Sequence, residues 1–380
     1  MKSMPRLPLS ATSSSRRVLR RAAFVALALT TPAIAAAPAS AGVQQLLSQN
    51  AAGEAPNAPV ESVVISRDAR DARYAAYTTA ATNLTPGVDG HRNIYLATRA
   101  PGYGKFGTPW QLGSTTLVTR GLGGAPANGD SWAPDLDGSS NHDDAIAPRC
   151  LAFVSAASNL VSGDTNGKPD VFIRDLRNGK IRRIATKGPA SEVSVSGRCD
   201  IISWVSGGNV YVQAKSKSLA FGARRVPNSS GATHLAVSEE RKKSFVLVFE
   251  RSGTIRASRG GKASRRVVSG AAPSQDQYGR YVSYERGGKV YQSNLSGAPK
   301  ERGAVRSGLG DAGRSVSSTA GGVHIFYANG SNVYRNVTKK PEGTCPGGAA
   351  AGSVTTSARG NYDVFTCAGG PAYLNYVAGK

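Results

Sequence analysis

The amino-acid sequence predicts an all-β protein, and composition, strand pattern and repetition carry the prediction. The 380 residues include 45 Gly and 20 Pro, while Met occurs only at Met1 and Met4. Apolar residues fall in short runs rich in Val, Ile, Tyr and Phe, bounded by Gly, Asn, Asp and Ser, as strands between turns do. An apolar strand, a polar turn and a strand of the form Asn/Asp-Val/Ile-Tyr/Phe recur along the chain. Four short strands per unit, at a period of about forty residues, predict the blades of a β-propeller.

Residues 1–41 read as an export signal. Arg16, Arg17, Arg20 and Arg21 form a basic segment, and Ala22–Leu29 is an apolar core too short to span a bilayer. Ala39-Ser40-Ala41 is a small-x-small cleavage site before Gly42. Ser15–Leu19 resembles a twin-arginine motif, so Sec and twin-arginine export both stay open. No other stretch reads as a transmembrane helix. The expected mature protein, residues 42–380, is a single propeller domain, secreted or envelope-associated, and a monomer.

Seven copies of the repeat follow. Their second and third strands begin at Tyr74 and Asn93, Leu151 and Asp170, Ile201 and Asn209, Phe245 and Thr254, Tyr281 and Lys289, Val323 and Asn332, and Asp363 and Ala372. Gly-Gly and Asn-Gly pairs between several of them fit two-residue hairpins. A Val- or Ala-Ser-type strand precedes the pair, as in Val63–Ser66. A basic strand follows most copies, as in Ile181–Ile184, Arg224–Val226 and Arg265–Val268. The last copy lacks a fourth strand, and Val43–Ser48 precedes the first. That segment is expected to pair with the final blade and close the ring, removing an exposed edge. Seven blades result; six or eight are the alternatives if the degenerate fourth copy or the long first unit is misread. Two long loops are expected, at Arg99–Gly113 and Gly121–Arg149, and long loops on a rigid scaffold are where binding usually sits.

The formal charge is +23, and the first 41 residues carry six cations and no anion, which leaves +17 for the remainder. A surplus of that size creates a long-range positive field; it fits either a polyanionic partner or a solvated basic surface with no specific partner, and the basic residues are spread along the sequence in no single block. The four cysteines, Cys150, Cys199, Cys345 and Cys367, make two disulfides the default in an exported chain. Cys150 and Cys199 enter the second strands of consecutive blades, so Cys150–Cys199 and Cys345–Cys367 are the preferred pairs, with other pairings open.

The run Cys150–Val161 followed by Gly163–Phe172 resembles TolB-type, WD-repeat-like β-propellers of exported bacterial proteins. The likeness is to an actinobacterial-type subgroup carrying Cys-x-Ala-Phe-x-Ser-x-Ala-Ser-Asn-Leu-Val and Gly-Asp-Thr-Asn-Gly-x-x-Asp-x-Phe. Blade one keeps a shorter form, Ala80–Leu84 with Asp89-Gly90. The likeness is specific over residues 129–200 and loose elsewhere. It implies a platform for protein or ligand binding and no common reaction. A separate N-terminal α/β domain, as in TolB itself, is not recognisable.

Candidate sites follow from side-chain chemistry. Asp164, Asn166 and Asp170 place three oxygens around a glycine, half of an EF-hand-like Ca²⁺ loop, although Asp175 stands where a bidentate Glu belongs. The competing role for these residues is a turn whose side chains cap their own backbone. Asp135, Asp137, Asp143 and Asp144, with His142, are the densest acidic cluster; they fit a cation or an acid–base pair, or merely offset nearby arginines. Trp110 and Trp132 fall in the expected long loops and fit either a stacking surface for a sugar or partner, or a plug at a blade edge. Trp204 should be core. Gly102-x-Gly104-x-x-Gly107 and Gly308-x-Gly310-x-x-Gly313 match a dinucleotide fingerprint by letter, but neither opens a helix. No Gly-x-Ser-x-Gly, His-Glu-x-x-His or Walker sequence occurs. The expected function is a non-catalytic scaffold that binds an envelope or extracellular protein, a glycan or an anionic polymer. The alternatives are a propeller glycan lyase or hydrolase with acids at the channel mouth, and a nonspecific polyanion binder.

Overall fold

Two contacts repeated from blade to blade explain the Asn/Asp-Val/Ile-Tyr/Phe signature. The aromatic of the third strand stands directly opposite an aromatic of the second: Tyr77–Tyr95, Phe153–Phe172, Trp204–Tyr211, Tyr284–Tyr291, Tyr327–Tyr334 and Phe365–Tyr373. Their ring centroids lie 5.6, 5.7, 5.9, 5.7, 5.9 and 5.8 Å apart. Such pairs contribute roughly 0.5–1.5 kcal/mol each beyond the area they bury, and they pin strand register. In blade four, Arg256 faces Phe249 instead, which is why that copy looks degenerate. In blades one, two and six the leading Asn or Asp accepts a hydroxyl at or just past the end of the fourth strand, whereas Asn209 of blade three donates to the Gly207 carbonyl at 3.0 Å. Thr119 donates to Asn93 at 2.7 Å, Thr186 to Asp170 at 2.8 Å and Thr344 to Asn332 at 2.7 Å.

The computed structural model describes residues 43–68, 71–102, 110–141, 144–184, 186–240, 243–295, 301–302, 312–318, 324–336, 338 and 340–376. All lie in the unit Ser40–Lys380. The expected signal, residues 1–41, falls outside the described residues, as do Asp143, His142 and parts of both glycine fingerprints.

Seven four-stranded antiparallel sheets form the blades. Blade one is Val60–Ile65, Tyr74–Thr79, Asn93–Arg99 and Leu112–Leu117. Blade two is Ser131–Leu136, Cys150–Ser155, Asp170–Asp175 and Ile181–Ile184. Blade three is Ala190–Val195, Ile201–Ser206, Asn209–Lys215 and Ala220–Arg225. Blade four is Ala232–Val237, Val246–Arg251, Thr254–Arg259 and Arg265–Ser269. Blade five is Ala271–Gln275, Tyr281–Arg286, Lys289–Asn294 and Glu301–Arg302. Blade six is Ala312–Ser318, Ile325–Asn329, Asn332–Arg335 and Gly343–Thr344. Blade seven is Ala351–Thr356, Tyr362–Cys367 and Ala372–Tyr376, completed by Val43–Leu46 from the other end of the chain.

The first strands of successive blades touch one another around the whole ring, the seventh returning to the first, so they form the hub. The second and third strands carry most of the buried apolar residues, which pack between adjacent blades. Closure is as expected. Val43–Leu46 pairs antiparallel with Ala372–Tyr376, Val43 opposite Tyr376 and Leu46 opposite Tyr373. Gln44 adds a two-way clamp to blade six, donating to the Thr344 carbonyl at 2.8 Å and accepting the Thr344 N–H at 2.9 Å.

The segment 121–149, expected as one long loop, is corrected by the structure. It contains the first strand of blade two, Ser131–Leu136, and a small hairpin of Ser139–Asn141 and Asp144–Ile146. Ala133-Pro134 hides that strand in the sequence. Pro134 cannot donate to a ladder, and the strand bulges there, with register shifting between Trp132 and Asp135.

The Ala-Ser-Asn-Leu motif has a structural role. The Asn128 N–H and Asn159 side chain bond at 3.1 Å, Asn159 donates to the Pro126 carbonyl at 2.9 Å, and Asn128 bonds Ser158 at both its N–H and hydroxyl. Blade one repeats the arrangement, with Asn57, Thr82 and Asn83 in the same roles. Each knot ties the loop entering a blade to the loop between that blade's second and third strands.

Candidate functional site

The hub is where six blades present side chains to one cavity, of about 350 Å³. Its ionisable and hydroxyl lining comprises Arg67, Asp135, Glu192, Ser194, His234 and Thr355, with Ser353 beside them. Each first strand is the inner edge of its sheet, so part of its backbone N–H row has no strand partner. Bulges add to the deficit. Register shifts occur between Ala190 and Glu192, Thr233 and Ala236, and Ala271 and Ser274, among others. Ala133, His234 and Ala272 take left-handed backbone, with φ of 50°, 53° and 46°.

Acids from the preceding blade satisfy these donors. Asp135 of blade two accepts the Val195 N–H and the Ser194 hydroxyl of blade three, each at 2.9 Å. Glu192 of blade three accepts the His234 and Leu235 N–H groups of blade four, at 3.0 and 2.8 Å. Glu250 of blade four accepts the Ala272 N–H of blade five at 3.0 Å and lies 3.3 Å from the His234 Nδ1. Burial raises the Asp135 carboxyl above its ordinary range, opposed by Arg67 and the Val195 N–H. The hub acids therefore act as clamps between blades, each engaged by donors at short range.

A second recurrent device ends the first strand. A serine or aspartate there accepts the N–H that opens the second strand. Ser66 takes Tyr74 at 3.1 Å, Ser196 takes Ile201 at 3.0 Å, Ser238 takes Val246 at 2.9 Å and Ser357 takes Tyr362 at 3.3 Å. Asp276 takes Arg280 and Tyr281, each at 2.7 Å. Asp137 is the blade-two member, taking Arg149 at 2.7 Å and Cys150 at 3.0 Å. It is fully buried, and burial pushes its carboxyl up to about 8 against those N–H bonds and Arg149. The structure thus separates Asp135 and Asp137 into a hub clamp and a turn cap.

The remaining sequence-derived candidates fall in different places. Trp110 is 1% exposed and donates its indole N–H to the Ala72 carbonyl at 2.8 Å. It plugs blade one, the second of the two roles that fitted it from the sequence. Trp132 lies in the first strand of blade two, not in a loop. It bridges to blade three through the Ser191 carbonyl at 3.0 Å, and the Arg92 guanidinium sits 5.2 Å from its ring. Trp204 is core, as expected.

In the loop proposed for Ca²⁺, Arg183 from the fourth strand bonds Asp164 and lies 3.4 Å from Asp170. Asn166 donates to Asp170 at 2.8 Å, and Asp170 also accepts the Thr186 N–H and hydroxyl, each at 2.8 Å. A cation there has to displace the guanidinium. Both preferred disulfides are present. Cys150–Cys199 joins blades two and three, and Cys345–Cys367 joins blades six and seven, with Cα separations of 6.1 and 5.6 Å.

Sequence reasoning missed the hub and the outer charge. The fourth strands of blades two, three and four carry Arg182 and Arg183, Arg224 and Arg225, and Arg265 and Arg266, with no carboxylate in any of the three. All but Arg183 are exposed. Lys215, Lys217 and Lys262, also exposed, flank two of these strands. The basic pairs were visible in the sequence; their shared place on consecutive outer edges was not.

No family model and no curated protein matches the chain. Among solved structures, 1054 chains match, so the architecture alone cannot point to one activity. One is the β-propeller domain of Cps50 (Swd1) from Myceliophteria thermophila, with a TM-score of 0.57 and 8% sequence identity. The match covers 88% of this chain and 100% of that one. Such a likeness reports fold alone, and with the seven sheets it identifies the chain as a seven-bladed β-propeller.

Proposed function

We propose that the chain is a secreted, non-catalytic binding scaffold of the TolB-type, WD-repeat-like class, whose ligand is an anionic cell-envelope or extracellular polymer. The observation that carries this reading is the run of outer-edge arginines on blades two, three and four. Successive blades present them as a band, and a flexible polyanion can follow such a band with several charges engaged at once. Two disulfides belong to oxidising compartments and support an extracellular setting. Among the described residues, no helix is long and apolar enough to cross a membrane. What weighs against an acid–base enzyme at the hub is that Asp135, Glu192 and Glu250 are each engaged by N–H donors.

Retention on immobilised heparin, read as the salt concentration of elution, tests the proposal. The wild type should elute late, and Arg224→Glu with Arg225→Glu should elute at markedly lower salt, since screening and charge loss act on the same attraction. The reversal Arg198→Glu, at an exposed arginine in the turn between the first two strands of blade three, should change elution less. Equal elution of wild type and the outer-edge variant refutes the reading.

A further inference from the structure

We propose that Cys150–Cys199 is an exchange-active disulfide, attacked by external thiols at Cys199 while the Asp137 carboxyl protonates the departing Cys150 sulfur. The inference is independent of polyanion binding. A carboxylate oxygen of Asp137 and both sulfurs lie within 4.8 Å of one another. Asp137 is fully buried, and its Oδ2 has no hydrogen-bond partner, whereas Oδ1 holds the Arg149 and Cys150 N–H groups. Capping alone does not call for a carboxyl, because serine fills the same position in four other blades. Asp276, the other carboxyl cap, uses its second oxygen to accept the Tyr278 N–H.

The two cysteines are unequal in access. Cys150 opens a buried strand and is 3% exposed. Cys199 is half-buried in the turn before the second strand of blade three, beside exposed Arg198 and with a left-handed φ of 58°. Cys199, although it packs in part on the core between blades two and three, is the more exposed of the two, so attack is favoured there and makes Cys150 the leaving group. The charged groups facing Asp137 are Asp135 two residues before it, Arg149 at the entrance to the second strand and Arg177 beyond the third. Arg198 and Asp200 flank Cys199 from blade three.

The step balances. A thiolate of an external dithiol forms a bond to the Cys199 sulfur as the Cys150–Cys199 bond breaks. The electron pair goes to the Cys150 sulfur, which takes the Asp137 proton and leaves a carboxylate. The dithiol's second thiolate then attacks its own sulfur in the mixed disulfide. That closes the oxidised cyclic reductant and releases Cys199 as a thiolate, which is protonated from solvent. A thiolate expelled into a buried site without a proton source is a poor leaving group, since departure is easier for the group that leaves as the weaker base.

The test is timed reduction of residues 42–380 by dithiothreitol, with alkylation and peptide mapping of each cysteine. Cys345–Cys367, whose cysteines are 1% and 3% exposed, serves as the internal reference for general opening of the fold. In the wild type, Cys150–Cys199 should open first, and a glutathione adduct should trap on Cys199. In Asp137→Asn and in Asp137→Ser, its rate relative to the reference should fall by about tenfold or more, as loss of a general acid does. The gap between wild type and Asp137→Asn should close above pH 8, where Asp137 has lost its proton. An adduct on Cys150 in the wild type overturns the proposal without any variant. So does an unchanged or raised relative rate in the two substitutions.

Discussion

Replacing Asp137 by Asn keeps the side-chain shape and the acceptor for the Arg149 and Cys150 N–H groups, and removes a titration. Burial pushes the native carboxyl up to about 8, whereas an unfolded Asp titrates at about 3.9. Between those values the folded chain holds a proton that the unfolded chain has released. The contribution to stability is fully present below about pH 4 and is lost as pH rises through 8. Each pKa unit corresponds to about 1.4 kcal/mol, so moving from pH 5 to pH 8 costs the wild type roughly 4 kcal/mol from this one group. Asparagine loses nothing over that range. Urea unfolding at pH 5 and pH 8 should therefore show the free-energy difference between the two proteins shifting toward the variant by roughly that amount. Asp363 is also pushed up to about 8 by burial, but it is common to both proteins and cancels. A difference that stays constant to within about 1 kcal/mol refutes the reasoning, because the buried carboxyl would then titrate as it does unfolded.

Two further outcomes are expected. Asn159→Ala removes the anchor of a four-bond knot and should lower stability by roughly 1–3 kcal/mol, read as a lower melting temperature; Asn83→Ala should match it, and no change in either makes the knots ornamental. Calorimetric titration with Ca²⁺ should give no heat on the wild type, because Arg183 already bridges Asp164 and Asp170; heat that disappears in Asp164→Ala instead establishes a calcium site.

Legibility in the sequence followed the range of the interactions. Aromatic pairs lie within one hairpin, so Tyr77 with Tyr95 or Tyr284 with Tyr291 leave a local pattern that repeats. The ring followed from that pattern, and so did the closing strand, since a missing fourth strand and a spare first one are complementary. The hub was illegible because its clamps join different blades. Nothing in the spacing of Asp135 and Val195, or of Glu192 and Leu235, marks a bond. The Asp137 cap was hidden for another reason. In blades three, five and seven the capping side chain stands five residues before the second strand's bonded N–H, at Ser196, Asp276 and Ser357. In blade two an inserted hairpin separates Asp137 from Cys150, so the alignment that would have exposed it fails. Trp110 left two roles open in the sequence because its flanks are polar and rich in glycine while the ring itself is buried.

The closing strand has a consequence for the order in which the molecule can be made. Val43–Leu46 leaves the ribosome before any other strand of the ring, and its partner, Ala372–Tyr376, follows all six of the other blades. Blades one to six contain all their strands in sequence, and each can form as its own segment emerges. Blade seven cannot, and until it forms the ring has two open edges and the inner strands lack their final neighbour. Bringing together segments so distant in sequence is the slow, entropically costly step of such a topology. Val43–Leu46 is therefore held in waiting until six blades have been made, and Ala372–Tyr376 acts as the latch that completes the ring. Truncating the C-terminal strand by a handful of residues would leave six blades intact and the molecule unfinished.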